Sequence, residues 1–462
     1  MDKFFKLAEN GTNVRTELFA GVTTFVTMAY IVFVNPLILS QTGMDKGAVM
    51  TATILAAIVA TLIMGLVANV PYALAPGMGM NAFFTFTICI VMQIPWQQAL
   101  AIVFISGLIN IVITITRVRK MLILAIPESL QYAITGGIGL FIAYIGFIDG
   151  GLLSFSPDKT TQFGASFTKV IPSLANFTSP AAVLCLIGLA IIIILMFMKV
   201  KGAILIGIVV TTLIGIPMGV TIIPSVAAKD FLPPSLAPTF LQLDFLGLFR
   251  NPADLFKILT LIVAFSLADT FDTIGAFLGT GRKTGIFDLK DEKALHSGKG
   301  FSSKLDKALF ADATATSIGA VLGTSNTTTY IESAAGIAIG GRTGLTSVVV
   351  AVLFGAMLFV SPFAQMIPFE ATAPALIVIG IMMMGSIAKI KWDNFDEAVA
   401  AFFTVVVMPF SYSIANGVAT GFIFYVLAKI FRGKAKEVHP LMYIVTALFV
   451  AKFVFDAMQL FN

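Results

Sequence analysis

Long apolar runs, broken by short polar or glycine- and proline-containing clusters, set the pattern of the chain. A membrane-spanning helix needs ~20 mainly apolar residues, and by that measure spans are expected near 18–40, 47–70, 97–117, 128–148, 180–199, 203–222, 256–280, 308–323, 344–363 and 371–388. Residues 397–431, interrupted by Pro409, supply two more. Two further segments, about 71–95 and 324–342, open with small, polar or turn-prone residues before a helix can start, and they complete a count of fourteen. An apolar stretch at 441–458 is left over. It carries Lys452 and Asp456, so it reads either as an interfacial helix or as a fifteenth span.

The two irregular segments stand third and tenth, seven spans apart, and their polar residues Asn81 and Glu332 are separated by 251 positions. A repeat of seven spans is odd-numbered, so its second copy must run through the membrane upside down. Inverted repeats of this kind mark secondary transporters, and interrupted segments at matching places point to the binding site. The expected fold class is therefore an all-α polytopic membrane protein of fourteen spans in two inverted seven-span repeats. Short extended strands and half-helices are expected in spans three and ten.

Composition agrees with a membrane-embedded bundle: of 462 residues 58% are hydrophobic and 11% charged, against roughly 25% charged in a soluble domain. The net charge of +5 reports orientation, since Lys and Arg gather in cytoplasmic loops, and it does not imply a nucleic-acid partner. With the N-terminus inside, 22 of the 29 basic residues fall in cytoplasmic segments, including seven between Arg282 and Lys307, six fall outside, and Lys452 lies in the leftover stretch. The expectation is a multi-pass protein of the inner or plasma membrane with a cytoplasmic N-terminus. The polar stretch Met1 to Glu17 has no small-residue cleavage pattern and does not read as a removable signal. Cys89 and Cys185 sit singly in apolar runs, and His296 and His439 in polar ones, which speaks against disulfide frameworks and metal sites. Walker and Ser-His-Asp patterns are missing as well, so the chain reads as neither an ATP-driven pump nor an enzyme, and no cofactor is expected.

Candidate chemistry concentrates in the irregular segments. In Pro71-Tyr-Ala-Leu-Ala-Pro-Gly77-Met-Gly79-Met-Asn81, the prolines and glycines disfavour a helix until about Asn81. Non-helical backbone at membrane depth survives only against protein or a watery cavity, and a half-helix starting there offers free N–H groups to a ligand. The tenth segment has six consecutive hydroxyl or amide side chains, Thr324 to Thr329, shortly before Glu332 and Ser333. Such a run should face a polar cavity or the matching extended stretch. Only Asp269, Asp272, Asp312 and Glu332, of 24 acidic residues, fall well inside the spans, and intramembrane carboxylates are functional by default. Asp269 and Asp272 are three apart, near one helical face, where at least one suits proton or ligand N–H binding. For Asp269 and Asp312 a satisfied bond to a neighbouring helix is an equally good reading. Tyr30, in the first span, reads first as packing.

In Gly21-Val-Thr-Thr-Phe-Val-Thr-Met-Ala-Tyr30, Ala75-Pro-Gly-Met-Gly-Met-Asn81, Asp269-Thr-Phe-Asp272-Thr-Ile-Gly275, Asn326-Thr-Thr-Thr-Tyr330-Ile-Glu332-Ser333 and His439-Pro-Leu-Met-Tyr443, the chain resembles the nucleobase/cation symporters. The branch it resembles is that of adenine, guanine and hypoxanthine permeases. The resemblance implies a core domain (1–122 and 256–364) moving against a gate domain (123–255 and 365–462). It implies substrate-binding carboxylates at Asp272 and Glu332, with Gly79 and Asn81 lining the site. Thr329 and Ser333, flanking Glu332, join the candidate set; Asp269, Asp272 and Glu332 are the candidates for proton coupling. Purine transport with H⁺ as coupling ion is the implied activity, with Na⁺ and a homodimeric assembly left open. Uracil and xanthine members typically have an acid or amide followed by Asn-x-Gly at span ten, where this chain has Glu332-Ser333-Ala334-Ala335. An anion transporter or exchanger on the same architecture is the alternative reading.

Overall fold

The computed structural model describes residues 2–116, 125–162, 165–175, 177–223, 232–284, 286–287, 303–360, 363 and 366–460. The first repeat begins with α1 (Val14–Met28) and α2 (Ile31–Ser40), one span broken at Ala29 and Tyr30. It continues with α3 (Lys46–Ile63), the strand β1 (Leu74–Pro76), α4 (Met78–Ala82), α5 (Trp96–Ile115), α6 (Glu128–Asp149), α7 (Pro180–Phe197) and α8 (Ala203–Gly215). Between α6 and α7 lies an antiparallel hairpin of β2 (Leu153–Gln162) and β3 (Ala165–Leu174), which the apolar pattern does not foretell. The second repeat runs α9 (Leu255–Thr284), α10 (Lys304–Leu322), β4 (Thr327–Thr329), α11 (Ser333–Ala338), α12 (Gly344–Met357), α13 (Phe369–Met384), α14 (Phe395–Phe410) and α15 (Ile414–Phe431). Among the described residues seven helices are long and apolar enough to cross a bilayer unaided.

Local sequence explains the helix starts. The side chains of Asn13, Asp45, Ser179 and Ser413 each accept from a backbone N–H in the first turn of the following helix. Ser303 and Asp306 form a reciprocal capping box at the start of α10. At the other end of α10, Gly323 has φ +92°, and a Cβ there would lie 2.3 Å from Thr239 Cβ, so only glycine fits the turn.

The packing exchanges the two halves. Helix α5 packs on α10 as α12 packs on α3; α1 packs on α12 as α9 packs on α5; and α6 packs on α14 as α13 packs on α7. Each statement becomes its partner when every element is replaced by its counterpart seven spans away. This is the exchange that two structural copies related by a two-fold axis produce. Helices α6 and α13, counterparts themselves, lie against each other.

The leftover stretch forms α16 (Pro440–Leu460), outside this exchange and packed on α9 and α15. Lys452 is buried there, its Nζ donating to Asn416 Oδ1 at 3.1 Å. The loop from Arg282 to Lys307, expected to be a cytoplasmic connection, falls largely outside the described residues.

Candidate functional site

The two irregular segments meet. β1 and β4 pair antiparallel with Leu74 opposite Thr329, Ala75 opposite Thr328 and Pro76 opposite Thr327. The proline and glycine residues that stop a helix, and the threonine run that favours extended backbone, thus form one two-stranded crossing inside the bundle. A pair this short leaves two outer edges at a depth where water cannot satisfy them. Side chains do so instead. Thr61 accepts from the Leu74 N–H at 2.9 Å and donates to its carbonyl at 3.0 Å. Ser347 donates to the carbonyls of Val70 and Tyr72, and Tyr330 donates to Pro76 O at 2.6 Å.

Asp312 finishes the other edge, and Asp269 holds the side chain just before it. Asp312 Oδ1 accepts from the Thr329 N–H and hydroxyl, both at 2.7 Å, and from the Thr328 hydroxyl, while its Oδ2 accepts from Thr273 at 2.6 Å. Asp269 accepts from Asn326 at 2.8 Å and from Thr316 and Asn110 at 3.0 Å. Both carboxylates are buried and supplied with donors. For these two residues the geometry matches the reading of a satisfied inter-helix bond.

Asp272 and Glu332 differ. The i, i+3 spacing suggests a shared face for Asp269 and Asp272, yet their partners separate them. Asp269, with Thr273 one turn on, faces the β4 segment and α10, whereas Asp272 is half-buried and, among the described residues, has no hydrogen-bond donor. Glu332 sits at the junction of β4 and α11, also half-buried, and accepts at Oε1 from the Tyr30 hydroxyl at 2.7 Å. Two incompletely satisfied carboxylates at the meeting of two interrupted spans can accept N–H donors from a polar ring or take up protons.

The other predicted residues form the wall behind this pair. Asn81 is fully buried, its side-chain carbonyl accepting from Ser325. Ser333 accepts from the Ala73 N–H at 3.0 Å, and Thr329 is engaged by Asp312. Gly79 permits close approach of α6, since a Cβ would lie 2.5 Å from Ile138 Cγ2. Helix α4 continues through wide turns over Phe83–Val91, a distortion frequent at functional sites. Tyr30 is the residue whose weight the sequence understates. Its signal is the break in span one that places its hydroxyl opposite Glu332.

A family model described as a permease family matches residues 15–455. The chain belongs to that permease family. It is a transport protein, not an enzyme. The permease is 40% identical over 455 residues to an adenine permease of Escherichia coli (strain K12), covering 98% of this chain and 96% of the relative. It is also 40% identical over 466 residues to a guanine/hypoxanthine permease of Bacillus subtilis (strain 168), covering 98% and 100%. In fold it is similar to the transmembrane domain of a cyanobacterium bicarbonate transporter, with a TM-score of 0.58, 17% identity, and coverage of 90% of the permease and 97% of that chain. At that identity the likeness concerns architecture alone.

Proposed function

We propose that the permease carries purine nucleobases across the cell membrane in symport with protons, by alternating access. Relatives named as adenine and guanine/hypoxanthine permeases, matched over nearly their whole lengths, support the substrate class. The observation that carries the site is the pair Asp272 and Glu332, two half-buried carboxylates where the interrupted spans cross. A purine presents ring N–H groups that such carboxylates accept, and each unmatched polar group costs ~1–3 kcal/mol when buried, so few contacts suffice to select among bases. Tyr30 orients Glu332, and Gly79, Asn81, Thr329 and Ser333 keep the crossing in shape behind the base.

In this reading Asp272 and Glu332 exchange the coupled proton and Asp269, with three donors on it, stays a structural acid. The core domain (1–122 and 256–364) moves against the gate (123–255 and 365–462), and the N-terminus lies in the cytoplasm, as the loop charges indicate. The anion-transporter alternative rests on shared architecture alone, at 17% identity. The test is uptake of radiolabelled hypoxanthine, guanine and adenine in a cell lacking its own purine permeases. Saturable uptake that rises at acidic external pH and collapses with an uncoupler is expected; failure to take up any of the three bases overturns the assignment.

A further inference from the structure

Helix α11, which begins one residue after Glu332, has six residues, far too few to hold a helix by itself. Its position must come from what touches it. Just beyond its far end, Arg342 Nη1 donates to the carbonyls of Ile337 at 2.6 Å and Gly341 at 2.8 Å, tying the last turn of the helix to the residues that follow it. Beyond Arg342, the start of α12 is fastened to the first span by Glu17, which is 0% exposed. Its Oε1 accepts from the Arg342 N–H at 2.8 Å; its Oε2 accepts from the Thr346 hydroxyl at 2.6 Å and from the N–H groups of Thr346 at 3.1 Å and Thr343 at 3.4 Å.

From Glu17 a single stripe of α1 follows the segment back to Glu332. Ala20 and Thr24 lie against Gly336, where a Cβ would stand 2.5 Å from Ala20 O and 2.2 Å from Thr24 Oγ1. The Thr27 hydroxyl donates to Glu332 O at 3.4 Å, and the Tyr30 hydroxyl reaches the Glu332 carboxylate. Positions 17, 20, 24 and 27 recur at the spacing of one helical face. A helical stripe about 15 Å long, from position 17 to position 27, thereby links the buried acid at one end to the backbone of Glu332 at the other.

We propose that Glu17 and Arg342 are positioning residues for Glu332: together they set the register of residues 332–346 along the first span and so place the Glu332 carboxylate for the base. The proposal rests on the reading of Glu332 as a ligand of the base. In Glu17→Gln the amide nitrogen cannot accept from the backbone N–H groups, so the stripe slips without loss of volume. The KM for the preferred base rises about tenfold, as the loss of one hydrogen bond to a charged group implies, while Vmax per chain in the membrane changes less. Arg342→Met moves KM in the same direction. Glu9→Gln, at an exposed residue paired with Lys6, leaves KM unchanged. A Glu17→Gln variant that lowers only the amount of protein, with KM unaltered, overturns the proposal.

A second measurement is independent of transport. Ile331, 53% exposed beside Glu332, is replaced by cysteine in a chain cleared of Cys89 and Cys185, and its rate of reaction with a small methanethiosulfonate is followed. Several-fold altered reactivity on adding Glu17→Gln is expected; an unchanged rate overturns the positioning role. If the unaltered permease takes up no purine, the site reading fails, and the cysteine measurement still decides whether Glu17 sets the position of this segment.

Discussion

Asp312 carries four hydrogen bonds and Asp272 carries none among the described residues. Both acids lie in helices of the second repeat, and their neighbours give them different work. Replacing Asp272 with Asn removes a charge on which no structural bond depends. Uptake per chain should therefore fall at least ~100-fold, the scale of a lost contact to a buried charge, with the detergent melting temperature unchanged. Normal uptake by that variant refutes the site. Replacing Asp312 with Ala strands the Thr329 N–H and hydroxyl, each costing ~1–3 kcal/mol when left unpaired, so the melting temperature should drop markedly. The chain places four acids in spans eight to ten but says nothing of which are saturated. For Asp269 that depends on Asn110, Thr316 and Asn326, which come from three different segments.

At the level of elements, span starts and the two interrupted segments are legible because caps, prolines and glycines act within a few residues of themselves. The β2–β3 hairpin is not, since its residues show no alternation strong enough to stand out beside twenty-residue apolar runs. Nor is the close backbone approach of α12 to Gly65. A Cβ on Gly344, the first residue of α12, would lie 1.9 Å from the Gly65 carbonyl oxygen, whereas at Gly355 of the same helix nothing stands within 4 Å. Gly344→Ala should accordingly destabilise the permease or prevent its accumulation. Gly355→Ala should leave it intact or stabilise it by up to ~1 kcal/mol, the propensity difference between glycine and alanine. Thermal melting of the two purified variants checks the contrast, and equal melting would show that the close approach does not constrain α12.

Across the whole molecule, the strand crossing lies in the proposed core, and the turn between α14 and α15 belongs to the proposed gate. Tyr412 in that turn has φ +52°, its ring 5.7 Å from Phe86 and 5.4 Å from Phe141, and its carbonyl accepts from the Thr87 hydroxyl at 3.2 Å. Alternating access requires these core and gate residues to part. Cysteines replacing Phe86 and Tyr412, in a chain cleared of Cys89 and Cys185, should on cross-linking stop uptake, and a reductant should restore it; full uptake in the cross-linked state rules out relative motion of these two elements.

Local chemistry along the chain is enough to indicate a membrane-embedded transporter, two interrupted segments at matching places, and a handful of intramembrane acids among which the site must lie. Apolar length, charge placement and backbone propensity act over one or two turns, and a linear reading captures them. Packing in three dimensions is what pairs the interrupted segments strand to strand, engages Asp312 on the β4 edge and Asp269 on Asn326, and brings Tyr30 to Glu332. Those outcomes depend on which residues, up to 302 positions apart along the chain, come within hydrogen-bonding distance, and side chains reach their partners only after the two halves have packed.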